Sequence, residues 1–290
     1  MSAVLESHVD GRERAVTRST WMAVTELGLR EGRRMVTSPA LLLLLAFVIL
    51  MGGVETVAER ALSMPTARGV YDAITFFTAL YLGLLVYMAA HLVTSSARRT
   101  GAEPQLAASA LSARQRSAGL CLGVLFGPGC LALVLMVAAA LLGNDLVASN
   151  ADGFGPDEPP MGVVFLVQLG LLLIGGGLFG VMWATWLRFP GSLPIGFLVL
   201  VFGTAWLVNP DSTPLHTWPW FAPYISVPSW FDEPWTAYGS HYWHTAYLVG
   251  LCALAVCATM LREREHRVRW LGISAAVVVA TGIVGAVQLS

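Results

Sequence analysis

The side chains able to do chemistry here are few, and most sit where chemistry is hard to build. The 17 strongly basic residues are all arginine; there is no Lys. Without Lys the chain has no phosphate-binding P-loop, no Schiff base and no Ser-Lys nucleophile pair. Cys121, Cys130, Cys252 and Cys257 fall inside apolar runs, at spacings that fit neither a zinc site nor a disulfide framework. They read as small apolar fillers. His241 and His244, three residues apart, could share a helix face as half of a metal site, but no third ligand stands close in sequence. With His216 they read as interfacial histidines. No Gly-x-Ser-x-Gly elbow or His-Glu-x-x-His occurs. The apolar runs contain no Asp or Glu; Asp72 lies at the edge of one, and His91 and Gln168 are the main strongly polar groups inside them. An ion-coupled carrier would need buried acids or a His cluster. We therefore expect no catalytic site and no resident cofactor or metal in this chain.

One segment does have the residue types of a working surface. From Ser95 to Arg116 an Arg98-Arg99 pair is followed by Gly101, then Pro104 opening a short helix, then Ser112 with Gln115 three residues later. Gly at that point ends a helix, Pro is suited to a first helical turn, and Ser-x-x-Gln forms a capping box. The loop, bounded at residues 96–117, should thus project a small rigid helix away from the elements on either side.

Those elements are set by composition. The chain is 56% hydrophobic and 12% charged, with net charge −1. Soluble domains carry about twice that fraction of charge, and a neutral chain offers nothing to nucleic acid. Lipid, however, solvates apolar side chains directly. The expected fold is all-α, a polytopic membrane protein with seven spans: Pro39–Val54, Ala73–Ser95, Ala118–Leu142, Val163–Leu187, Leu193–Val208, Trp243–Leu261 and Trp270–Leu289. Gly127-Pro128-Gly129 should kink the third span, and Gly175-Gly176-Gly177 lies at the centre of the fourth. The division is a cytoplasmic N-terminal segment, 1–38, and a transmembrane domain, 39–289. The first 38 residues are too long and too mixed in charge to be a cleavable signal. Within them Trp21, Val24, Leu27, Met35 and Val36 recur at helical intervals with Arg30, Arg33 and Arg34 between, which predicts an amphipathic helix on the cytoplasmic surface.

Orientation follows from the arginines. With the N-terminus inside, fifteen arginines face the cytoplasm and only Arg60 and Arg68 face outward. The outer loops are acidic and aromatic. The longest, 209–242, carries Trp218, Trp220, Trp230 and Trp235, side chains that favour the headgroup layer. It reads as turns or short helices dipping into the outer interface, either an outer gate or a fixed lid.

The 96–117 loop resembles the coupling-helix segment of type-2 ABC exporter permeases, especially actinobacterial ones. That family has an Arg-rich exit from span two, then Gly-Thr-Glu-x-x-Leu, then Pro-x-Ser before span three. Arg98 and Arg99 match the exit; Gly101, Glu103 and Leu106 match the first motif, with Ala102 for Thr; Ala110-Leu111-Ser112 fills the second, with Ala110 for Pro. Arg33 to Pro39 is similar to the family's elbow helix. Trp243-His244-x-x-Tyr247-Leu248, followed by Arg262, Arg264 and Arg267, is similar to its sixth span. The likeness extends through about Arg269; the seventh span exceeds the family's six. The resemblance implies a permease subunit in a bacterial plasma membrane, paired with a second permease copy or related permease. ATP and Mg would bind a separate ABC ATPase subunit that grips the loop through Arg98, Arg99, Gly101, Glu103, Leu106 and Leu111. Other readings are a non-transporting assembly, immunity or sensor protein, and an ion-coupled carrier or membrane-embedded enzyme.

Overall fold

A backbone removed from water must satisfy its N–H and C=O groups within itself, so long apolar runs form helices. The computed structural model describes residues 20–39, 41–43, 45–46, 50, 82–102, 104–105, 111–149, 161–208, 241–262 and 267–288; among them there is no strand. Helix α1 covers residues 20–36. It is followed by α2 (Gly83–Arg99), α3 (Ala113–Phe126), α4 (Pro128–Ser149), α5 (Met161–Trp186), α6 (Ser192–Val208), α7 (His241–Leu261) and α8 (Arg267–Val287). Much of the first expected span lies outside the described residues. Among the described residues, four helices are long and apolar enough to cross a bilayer: Ala113–Ala138 through the α3–α4 junction, Leu166–Trp186, Tyr242–Leu261 and Arg267–Val287. The chain is an all-helical, membrane-embedded protein.

For the fourth to seventh runs the helix bounds fall close to those expected, because run length and flanking polar residues mark them strongly; the helix pair of the third run extends further than expected at both ends, and the start of the second run lies outside the described residues. The break in the third run also falls at Gly127, between α3 and α4. Pro128 has no N–H to offer the Val124 carbonyl.

Contacts between helices fix their directions. α2 runs parallel to α5, with Gly83 beside Gly176 and Tyr87 beside Gly180. α5 runs parallel to α7, with Gln168 on Thr245 and Trp186 on Ala258. α4 opposes α5, with Ala132 and Met136 beside Gly170 and Gly129 beside Ile174. α8 opposes α7, with Gln288 on His244 and Thr281 beside Gly250. The helices thus alternate up and down, and α5 is central, packed on α2, α4 and α7. One buried cluster joins Leu41, Leu82, Val86, Ala132 and Leu173; a second joins Met35, Ala90, Cys121, Val124, Leu178, Val181, Ala255 and Met260. α8 packs on α7 and leaves Val278, Val279 and Ile283 exposed.

Lipid offers no hydrophobic drive for helices to associate, so close backbone contact between small residues matters more than in water. A Cβ on Gly176 would collide with the Gly83 carbonyl. A similar seam holds α1. Gly28-x-x-x-Gly32 lies along Gly119-x-x-x-Gly123 of α3 and Gly127 just beyond it, and a Cβ on Gly32 would stand 2.6 Å from the Gly123 carbonyl oxygen. The helix of the N-terminal segment is therefore packed into the bundle. Val24 and Met35, which the apolar recurrence placed on the membrane-surface face, are 3% and 0% exposed. Trp21, Met22 and Leu29 remain exposed, and Arg30, Arg33 and Arg34 lie on the exposed side as well.

Candidate coupling site at the arginine-rich end

The alternation brings the end of α2, the start of α3, the α5–α6 turn, the end of α7 and the start of α8 to one end of the bundle. Arg98, Arg99, Arg114, Arg116, Arg188, Arg262, Arg267 and Arg269 all lie on these segments. The loop read as a coupling element starts here.

Its exit from α2 is a two-bond helix stop. The Gly101 N–H donates to the Arg98 carbonyl (3.2 Å) and the Ala102 N–H to the Ala97 carbonyl (2.8 Å). Gly101 has φ +71°, a left-handed conformation that glycine adopts without a Cβ penalty. Arg98 and Arg99 occupy the last turn, where cations complement the helix dipole. The Arg98 guanidinium also donates to the Ala184 carbonyl near the end of α5, at 3.5 Å. Arg99 folds back along α2 to the Leu92 carbonyl.

The far end of the loop is equally fixed. Ser112 caps α3 through a complete capping box: the Gln115 N–H donates to Ser112 Oγ (3.2 Å), and the Ser112 N–H donates to Gln115 Oε1 (2.8 Å). Arg116 donates to the carbonyl of Leu111, which is half-buried, at 2.9 Å. The Arg114 guanidinium lies 5.4 Å from the centre of the Trp270 ring on α8, a cation–π contact. Residues 104–105 are helical. Of the candidate coupling residues, the structure thus places Arg98, Arg99, Gly101 and Leu111 at the two stems of one loop. Glu103 and Leu106 lie outside the described residues, as do the outer-gate residues Trp218, Trp220, Trp230 and Trp235. Removing the cap should cost about 1 kcal/mol. Ser112→Ala should therefore lower the thermal midpoint of the detergent-solubilised protein by roughly 2–4 °C; an unchanged midpoint would show that the box contributes nothing.

A polar clamp that sequence reading missed lies beside this loop. His91, 4% exposed, shares a hydrogen bond of 3.0 Å between Nε2 and Ser192 Oγ. Trp183 Nε1–H donates to the Ser192 carbonyl (2.7 Å), and the Tyr87 hydroxyl donates to the Leu193 carbonyl (3.0 Å). The Ser192 N–H closes the α5–α6 turn on the Phe189 carbonyl (3.1 Å). Bonds between membrane helices contribute about 0.6 kcal/mol each on average. Together they fix one turn's geometry more than they add bulk stability. Only His91 carried a signal, as a polar residue in an apolar run; its partners lie too far away in sequence to be paired with it.

Two more polar residues inside the bundle, Gln168 and His244, meet partners on neighbouring helices. Gln168 Nε2 donates to Thr245 Oγ1 at 3.1 Å, and His244 Nδ1 lies 3.2 Å from Gln288 Oε1. His244 is fully buried, near the start of α7 and against the end of α8. Cys121 and Cys257 are buried fillers, whereas Cys130 is exposed.

In comparisons with known proteins, no family model, no curated protein and no solved structure matches the chain.

Proposed function

We propose that this chain is the membrane permease subunit of an ATP-driven exporter, coupled through the 96–117 loop to a separate ATPase. The observation that carries this reading is the loop's construction. Both stems of the loop are pinned, one by a two-bond helix stop and the other by a capping box and a cation–π contact. Such anchoring suits a loop that must transmit force, since a slack connection would absorb the movement of whatever pushes on it. The arginines around it complement an acidic protein surface. The absence of Lys agrees with a nucleotide site on another chain. Two copies, or this chain and a related one, would enclose the pathway, with ATP and Mg on the partner.

The same reading sets seven spans in a bacterial plasma membrane, the N-terminus inside and the loop 209–242 outside as gate or lid. Single cysteines at positions 99 and 220, on a background lacking the four native cysteines, should label from opposite sides of sealed vesicles. Labelling from one side would overturn this topology. Whether an ATPase leaves native membranes together with the chain tests the coupling itself.

A further inference from the structure

We infer that α1 carries a binding site for an anionic phospholipid, whose phosphate is held between Arg30 and Arg33. The inference needs only a membrane-embedded chain and stands apart from the exporter reading. Its starting point is the course of α1. Leu27 meets Gly119, Gly28 meets Leu122 and Gly32 meets Gly127, so the contacts advance together and α1 runs in the same direction as α3. α3 begins at the arginine-rich end and opens the apolar stretch Ala113–Ala138. α1 thus descends along that stretch from the same end, and Arg30 and Arg33 stand beside its residues 123–127. The surface around them is apolar: Leu29 is 55% exposed, and Leu125, at the same level on α3, is 45% exposed.

Arginine on a helix beside lipid is costly unless its side chain reaches back to the headgroup layer. The direction of α1 allows this. Side chains on a helix lean toward its N-terminus, and the N-terminus of α1 lies at the arginine-rich end. Arg30 and Arg33, three residues apart, share a face with Cβ atoms about 5–6 Å apart. Both are exposed, and neither forms an ion pair among the described residues. Glu31 is taken by Arg34, which donates to both of its carboxylate oxygens at 3.1 and 3.0 Å. Glu26, one turn before Arg30, makes no ion pair with it. Two guanidinium groups without a carboxylate between them, flanked by exposed leucines, suit a phosphate with acyl chains beneath it. The paired cations also repel a choline group, which disfavours zwitterionic lipid. An acidic protein would match the arginines but not the leucines. The glycine seam fixes α1 on α3, so the two arginines keep their spacing and depth. That separates a discrete site from the general attraction of cations to an anionic leaflet.

The test takes the full-length chain in mild detergent, equilibrated with mixed micelles of equal phosphatidylglycerol and phosphatidylcholine, and counts the retained lipids by native mass spectrometry. We expect phosphatidylglycerol to be retained in preference. Arg30→Gln with Arg33→Gln should weaken that preference about thirty-fold, the loss of two arginine contacts to an anionic headgroup. Arg30→Lys with Arg33→Lys should keep most of it. Equal retention of the two lipids by wild type would overturn the site, whether or not any variant folds. An undiminished preference in the Gln variant would overturn it as well, since the lipid would then sit elsewhere. Displacement of the lipid by inorganic phosphate alone would show a site for a free anion. Loss of a dimer in the Gln variant, read from the same spectra, would show a face between copies of the chain. Either result would overturn the lipid assignment.

Discussion

Replacing Gly176 with Leu should prevent the bundle from assembling, whereas the same change at Gly203 should be silent. Gly176 stands against the backbone of Gly83, so there is no side chain to swing aside and the two central helices must separate. Overpacking a core usually costs about 1–3 kcal/mol; backbone against backbone lies at or beyond the top of that range. Separation would also break the contacts of Leu82, Val86 and Leu173 in the adjoining cluster. Among the described residues, nothing lies within 4 Å of the Cβ position at Gly203. Size-exclusion profiles in mild detergent should show a single peak for wild type and Gly203→Leu, and aggregate for Gly176→Leu. A monodisperse Gly176→Leu protein with unchanged thermal midpoint would mean that α2 and α5 do not touch there.

What could be read from the sequence, and what could not, divides along one physical line. Helix positions were legible because an apolar run is a local signal, and so were the Gly127-Pro128 break and the Ser112–Gln115 box, whose partners lie within a few residues. Packing was not. Gly28 and Gly32 decide how α1 lies on α3, but glycine adds nothing to a hydropathy pattern, so the apolar recurrence pointed Val24 and Met35 toward the membrane surface. The two small-x-x-x-small repeats facing each other were the available signal. The contact of His244 with Gln288 was hidden because the two lie 44 residues apart in sequence. The clamp on Ser192 was hidden for the same reason: His91 is 101 residues away in sequence. At the candidate site the stems at Arg98, Arg99, Gly101 and Leu111 were legible. Which neighbouring helices staple them, through Ala184 and Trp270, was not.

Glu103→Arg should break the contact with the partner without harming the fold. Glu103 lies outside the described residues, but it is the one acid in a loop that carries Arg98, Arg99, Arg114 and Arg116. Reversing it removes the only anionic handle and adds a fifth cation. Like-charge juxtaposition at an interface costs several kcal/mol, against almost nothing on a solvated loop. We therefore expect recovery of the ATPase with the chain to fall by about tenfold or more, while membrane insertion and the thermal midpoint of the isolated chain stay as in wild type. Unchanged recovery would remove Glu103 from the interface.

The most direct measurement is affinity purification of the tagged, full-length chain from native membranes in mild detergent, followed by quantitative mass spectrometry. The coupling reading predicts a soluble-domain ATPase with a Lys-bearing P-loop, recovered in amounts comparable to the chain itself. A folded, monodisperse chain that leaves the membrane with no ATPase above background would contradict it.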